Sequence, residues 1–145
     1  MFSFVSQVAT LIDLKMYVML TTMYFTILPV AADDEALIVH PTIIEMHEEA
    51  QRQRKKYNKA ELKLDEECCQ MAQKWANYMA TNSKFHHGKN DQIIARGYKS
   101  VTLVFRGWMN SGGHRSWILN NKSTKCGWGC QRSKGGTMYW VGVFR

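Results

Sequence analysis

The order of elements along this 145-residue chain predicts an α+β fold. Helical periodicities fill its middle, and two strand-like runs joined by a hairpin signal close it. No strand–helix–strand alternation runs through it, which sets a Rossmann arrangement aside. With 46% hydrophobic and 12% aromatic residues, a single domain has ample material for a core.

The first 32 residues are of a different kind. Met16 to Ala32 carries no charge, Lys15 stands just before it, and Val30-Ala31-Ala32 offers small residues to a signal peptidase ahead of Asp33-Asp34-Glu35. Residues 1–32 therefore read as a secretory signal peptide or, if uncleaved, as an N-terminal membrane anchor through residues 16–32. Seventeen uncharged residues lie at the short end of what spans a bilayer. Met1 to Leu14 is long for the start of a signal, so translation beginning near Met16 is a further option. Each of these readings exports residues 33–145.

Asp33 to Thr42 reads as an extended lead-in, with Pro41 placed to open a helix. Ile43, Ile44, His47, Ala50 and Gln51 follow helical spacing, acids sit early, and the basic run Arg52 to Lys56 falls at the C-terminal end, where the helix dipole favours it. Those basic residues read as a solvated helix end, and Tyr57-Asn58-Lys59 as the break. A second helix is capped by Asp65, repeats Cys68, Ala72, Trp75, Ala76 and Met79 on one face, and stops near Asn82-Ser83. The alanines on that face predict a close neighbour. Phe85 to Gly88 is a loop, and Gln92 to Ala95 a short apolar piece. Ser100 caps a third helix with Val101, Val104, Phe105 and Trp108 on one face. Asn110 to Gly113 reads as a turn, and Arg115 to Asn120 as a further helical turn. Cys126 to Cys130 and Met138 to Phe144 are strands, with Lys134-Gly135-Gly136-Thr137 as their hairpin.

The formal charge of +7 and pI near 9.3 suit anionic surfaces such as phospholipid or cell-wall polymer. The bases read as scattered apart from Arg52 to Lys56, and no nucleic-acid motif accompanies them. All four cysteines follow the leader. Cys126 and Cys130 lie about 13 Å apart if in one strand, too far to bridge, so a link from the Cys68/Cys69 pair to the Cys126/Cys130 pair is expected, with buried free thiols as the alternative. No CxxC spacing supports a cysteine zinc site. Asn121-Lys122-Ser123 is a glycosylation sequon, relevant only where the host glycosylates.

The densest stretch, Gly107 to Leu119, brings the chain into a known pattern. Trp108-Met109-Asn110-Ser111-Gly112-Gly113-His114-Arg115 resembles W-M-N-S-P-G-H-R of the CAP superfamily (cysteine-rich secretory proteins, antigen 5 and plant pathogenesis-related 1 proteins), in its short SCP-like extracellular branch. In the same order, Glu49 to Arg52 is similar to N-x-x-R, Leu62 to Asp65 to L-x-W-D, and Phe85-His86-His87 to F-S-H. Gln92 to Tyr98 is similar to E-N-I-A-x-G-Y, Thr124 to Gly129 to T-x-I-G-x-G, and Tyr139 to Phe144 to Y-W-T-Q-V-F. The resemblance implies a three-layer α-β-α sandwich with a small antiparallel sheet between helices. It also implies a cleft with two histidines and one or two acids. The histidines fall on His87 and His114, with His86 the alternative to His87, and the acid positions fall on Gln92 and Ser111. Asp91 replaces Gln92 if the loop shifts by one residue. Family members are linked to sterol or fatty-acid binding, defence and cell-envelope interaction.

Two imidazoles on a cleft can bind zinc through neutral nitrogens or shuttle protons near neutral pH. A carboxylate beside them would orient a ring or act as a base. With neither matched position acidic, these residues weigh against catalysis, whether by a metal-assisted hydrolase or a Ser111–His114 nucleophile. The expected function is a secreted protein that binds a ligand in a cleft of His87, His114, Gln92, Ser111 and Asp91, or a divalent metal through His87 and His114. The ligand would be a lipid, sterol or envelope component, and nucleic acid is not expected. A surface module displayed by an uncleaved anchor is the alternative. His40 and His47 are expected to face solvent, and the five tryptophans to form core and cleft wall.

Overall fold

The computed structural model describes residues 36–88 and 91–145, so the leader expected at 1–32 lies outside the described residues. A single 3-10 turn, Leu37–Val39, precedes helix α1, Pro41–Lys56. The lead-in is held by this turn rather than extended, because the Leu37 and Ile38 N–H groups donate to the Glu66 carboxylate at 3.3 and 3.1 Å. Pro41 occupies the first turn of α1, where its missing N–H costs nothing. Asn58, at φ 52°, turns the chain out of that helix.

Strand β1 (Lys63–Leu64) leads into helix α2 (Glu66–Asn82), whose first turn is capped by Asp65 Oδ1 accepting the Cys68 N–H at 3.0 Å. Ser83, left-handed at φ 52°, ends it. Then come β2 (Gln92–Arg96), α3 (Val101–Asn110), α4 (Gly112–Ile118), β3 (Lys125–Arg132) and β4 (Met138–Phe144). Gly112 and Gly113, expected in a turn, form the first turn of α4 instead. Neither has positive φ, and a side chain at either would meet nothing within 4 Å.

The sheet order is β1-β3-β4-β2. The expected antiparallel sheet is in fact mixed, because β1 pairs parallel with β3 while the other two pairings are antiparallel. Two-residue β1 is too short to show a period of two. β2 is buried along most of its length and so reads only as a short apolar run. Helix α2 covers one face of the sheet and α1, α3 and α4 the other, which makes three layers.

Helix α2 lies almost backbone-to-backbone on β3. A Cβ at Gly127 would collide with the Cys68–Cys69 peptide, and one at Gly129 with Ala72 and Gln73. The backbone of α2 at Cys68–Cys69 and at Ala72–Gln73 thus meets two glycines, and Gln73 completes the seam by bonding both the N–H and the C=O of Cys130. On the opposite face, Phe105, Trp108, Trp128 and Phe144 pack as offset and edge-on rings with centroids 5.2 to 6.1 Å apart.

Three expectations about buried groups change. Arg54, placed by sequence in a solvated helix end, is 1% exposed. Its Nε donates to Ala60 O at 2.6 Å and its Nη1 to Ile118 O and Asn120 O at 2.8 and 2.9 Å, which staples α1 to the C-terminal end of α4. The N-x-x-R correspondence therefore shifts by two residues: Arg52 is exposed and pairs with Glu49, while Gln51 brackets the Leu62 backbone three residues before Arg54. His47 is half-buried rather than solvent-facing. Its Nδ1 stands 3.5 Å from Cys126 Sγ, and burial lowers its pKa from the ordinary histidine value.

The four cysteines are free thiols. Strand alternation turns Cys126 and Cys130 to the face of Trp128; Cys69 reaches the core cluster that holds Cys126 and Trp128, while Cys68 packs in the cluster beneath α2. Burial pushes the Cys68 thiol up to about 12 and the Cys69 thiol up to about 11, so neither is a nucleophile at neutral pH.

Candidate functional site

The segment Phe85 to Gly88 runs between two walls, and its neighbours face alternate sides. His86 packs edge-on against Trp75 and Tyr78, with ring centroids 5.2 and 6.1 Å away, and its carbonyl accepts the Trp75 Nε1–H at 3.0 Å. Gly88 lies flat on the Trp75 indole, where a Cβ would come within 2.8 Å of the ring. Phe85 and His87 turn the other way. His87 faces His114 across the cleft, ring centroids 6.4 Å apart and planes tilted by 32°. Of the two sequence candidates, His87 is thus the ring that meets His114.

Helix α3 and the first turn of α4 supply the opposite wall. Ser111 ends α3 and begins α4, and its carbonyl accepts the Arg115 N–H at 2.8 Å, which sets His114 on the inner side of the short helix. Ser111 and His114 line a cavity of about 310 Å³ with Phe85, Ile94, Ala95, Arg96, Tyr98, Gly107 and Trp108. Gly107 lies under the Tyr98 hydroxyl, so a side chain there would push the Tyr98 ring aside. Three indoles hold the wall from behind, with Trp75, Trp108 and Trp140 donating to the carbonyls of His86, Ile94 and Tyr98 at 3.0 to 3.2 Å.

The two acid positions behave differently. Gln92 is buried, and its Oε1 accepts the Gly88 N–H at 3.3 Å, so it fixes the loop that carries His87. Asp91, the alternative, is turned away. Its Oδ2 pairs with Arg145 Nη2 at 2.9 Å, outside hydrogen-bond alignment, and its carbonyl accepts the Phe144 N–H. Of the residues expected in the cleft, Ser111 and His114 line this cavity and His87 faces His114 beside it, whereas Gln92 lines a separate pocket behind the loop with Met71, Lys74, Trp75, Tyr78 and Gly88; Phe85, Arg96, Tyr98 and Gly107 were not among the expected site residues. Arg96-Gly97-Tyr98 was in view as a motif, yet nothing in it showed that Arg96 would lie over the Phe85 ring at 5.0 Å.

Burial, reinforced by the neighbouring His87 imidazole, lowers the pKa of His114 from the ordinary histidine value. The charge is also segregated along the chain. Residues 84–145 hold eleven Lys and Arg against one acid, Asp91, whereas residues 1–83 hold eight against eleven. Among the described residues, no carboxylate lines the cavity.

A zinc shared by His87 and His114 would need the two rings closer than they stand. A tetrahedral ion bonded at about 2.1 Å needs ring centres about 5 Å apart, so rings at 6.4 Å must close by about 1 Å. Among the described residues, no three His, Cys, Asp or Glu side chains are placed to hold an ion.

The model of the family described as "CAP: Cysteine-rich secretory protein family" matches residues 51–144. An outer surface protein from Borrelia burgdorferi superposes with a TM-score of 0.63 at 20% identity, over 70% of this chain and 89% of that one. An extracellular protein containing an SCP domain, from Bacillus anthracis, gives 0.60 at 19%, over 72% and 40%. A cysteine-rich secretory protein from Staphylococcus aureus gives 0.55 at 20%, over 72% and 38%. The chain spans less than half the length of the latter two. At these identities the likeness shows the fold alone. No curated protein matches the chain.

Proposed function

The chain belongs to the cysteine-rich secretory protein (CAP) family, and from that premise we propose an extracellular binding module whose two-histidine cleft takes an apolar ligand bearing an anionic group. The make-up of the cavity carries this reading. Phe85, Ile94, Ala95, Tyr98 and Trp108 supply apolar surface, while Arg96 and His114 supply donors beside the facing His87. At about 310 Å³ the cavity sits at the small end of ligand pockets, suited to a short chain or a single ring system.

Chemistry favours the anion over a cation. Arg96 contributes a guanidinium fork, the only acid of the basic half is paired with Arg145, and each imidazole has a ring N–H to donate. A short-chain lipid acid or an envelope component with an acidic group meets these terms, and the basic half draws the protein to an anionic surface. The apolar cavity surface argues against nucleic acid. An extracellular setting is supported by the expected leader at residues 1–32 and by the printed descriptions of the bacterial neighbours. Among the described residues, no helix is long and apolar enough to cross a membrane. Display through residues 16–32 stays the alternative to a released protein.

Calorimetry with decanoate, decyl phosphate and neutral decanol tests the reading. Both anions should bind the wild-type protein, decanol at least tenfold more weakly, about 1.4 kcal/mol. Arg96→Ala and His114→Ala should each erase most of that preference. Equal binding of anion and alcohol contradicts it.

A zinc site shared by His87 and His114 is the second reading, favoured only by the facing of the two rings. Zinc titration of wild type and of His87→Ala/His114→Ala decides it, since equal affinity removes it. A weak hydrolase in this cleft would lack a base at Gln92, and Gln92→Glu should then raise turnover.

A further inference from the structure

We infer that Trp75, outside the cleft and on helix α2, is the positioning residue that sets His87 against His114. The inference takes its interest from the cleft reading above, but its geometry stands alone. Phe85 to Gly88 has no helix or strand of its own to hold it, and all four residues are exposed. A histidine in such a segment would ordinarily sample many directions.

Trp75 removes that freedom on both sides of His87. Before it, the indole N–H takes the His86 carbonyl at 3.0 Å and the His86 ring packs edge-on to the indole at 5.2 Å. After it, Gly88 lies on the indole face, closer than any other residue type could, and Gln92 Oε1 takes the Gly88 N–H at 3.3 Å. Trp75 is itself steadied by Tyr78, stacked at 4.9 Å with planes 19° apart. Both neighbours of His87 are thus pinned toward α2, and the alternation of an extended segment sends the ring between them to the other side, where His114 stands. This also gives a half-exposed tryptophan a job that core packing does not.

The test reads the ring directly. In wild-type protein, NMR should show a nuclear Overhauser contact between the His87 and His114 rings. Trp75→Phe keeps an aromatic ring but loses the N–H bond to His86, and should weaken that contact. Gly88→Ala, which drives a methyl into the indole, should abolish it. Decanoate affinity in both variants should fall roughly tenfold, the scale at which orienting partners act on a ligand site. Tyr78→Phe, which keeps the stack, should leave both readouts unchanged. An undiminished contact in Trp75→Phe and Gly88→Ala would overturn the inference. If His114→Ala leaves decanoate binding unchanged, the cleft reading fails by itself, and the inter-ring contact still decides the role of Trp75.

Discussion

The two faces of the central sheet are packed by opposite means. On one, α2 meets β3 through Gly127, Gly129, Ala72 and Ala76, so close that backbones touch. On the other, α3 and α4 pack Phe105, Trp108 and Trp117 onto Trp128 and Phe144, with Ile43 and Met46 of α1 in the same cluster. A seam of small residues is rigid and leaves no room. A seam of large rings leaves gaps at its margin, and the cleft opens there, between Trp108, Tyr98 and the Phe85 loop. The difference teaches where change is tolerated: the close seam fixes the fold, and the ring-packed side has margin for a site.

Substitutions on each side can sharpen that contrast. The largest loss is expected for Arg54→Ala on the ring-packed side. It empties a buried site and strands the carbonyls of Ala60, Ile118 and Asn120, costing about 4 kcal/mol in urea denaturation. Gly127→Ala follows, at about 3 kcal/mol, because a backbone rather than a side chain must yield. A loss under about 0.5 kcal/mol there would break the distinction between the two seams. Asp65→Ala, which uncaps α2, should cost about 1 kcal/mol.

A pH series separates the ring-packed side further. His47 and His114 both have pKa values lowered by burial. Their neutral forms stabilise the fold fully above the unfolded value near 6.5, and that contribution is lost as pH falls through their folded values. Stability should therefore drop as pH falls below about 6.5, and His47→Gln should make the drop shallower. The smallest effect is a gain: Gly113→Ala, in a helix turn with open space, should stabilise by about 0.5 kcal/mol.

Much of the fold was legible because its signals are local. Asp65 and Ser100 cap helices where the sequence placed them, and Val101, Val104, Phe105 and Trp108 are all buried. The alanines of α2 announced a close neighbour, and the helix does lie backbone-close to β3 at Gly127 and Gly129. What was not legible depends on contacts distant in sequence. Arg54 looks like one of several basic residues until Ile118 and Asn120, more than sixty residues on, supply its acceptors. In the site, the histidines were legible from motif spacing, whereas Arg96 over Phe85 and the role of Trp75 required the loop to be seen between its two walls.

The anionic apolar ligand is tested most directly by titrating isotope-labelled protein with decanoate and mapping the shifted amide signals. The expected result is a cluster at Phe85 to Gly88, Arg96 to Tyr98, Gly107 and Ser111 to His114, with saturation lost in Arg96→Ala. Shifts confined to Met71 through Tyr78 on the far side of the loop, or scattered over the basic surface without saturation, would contradict it.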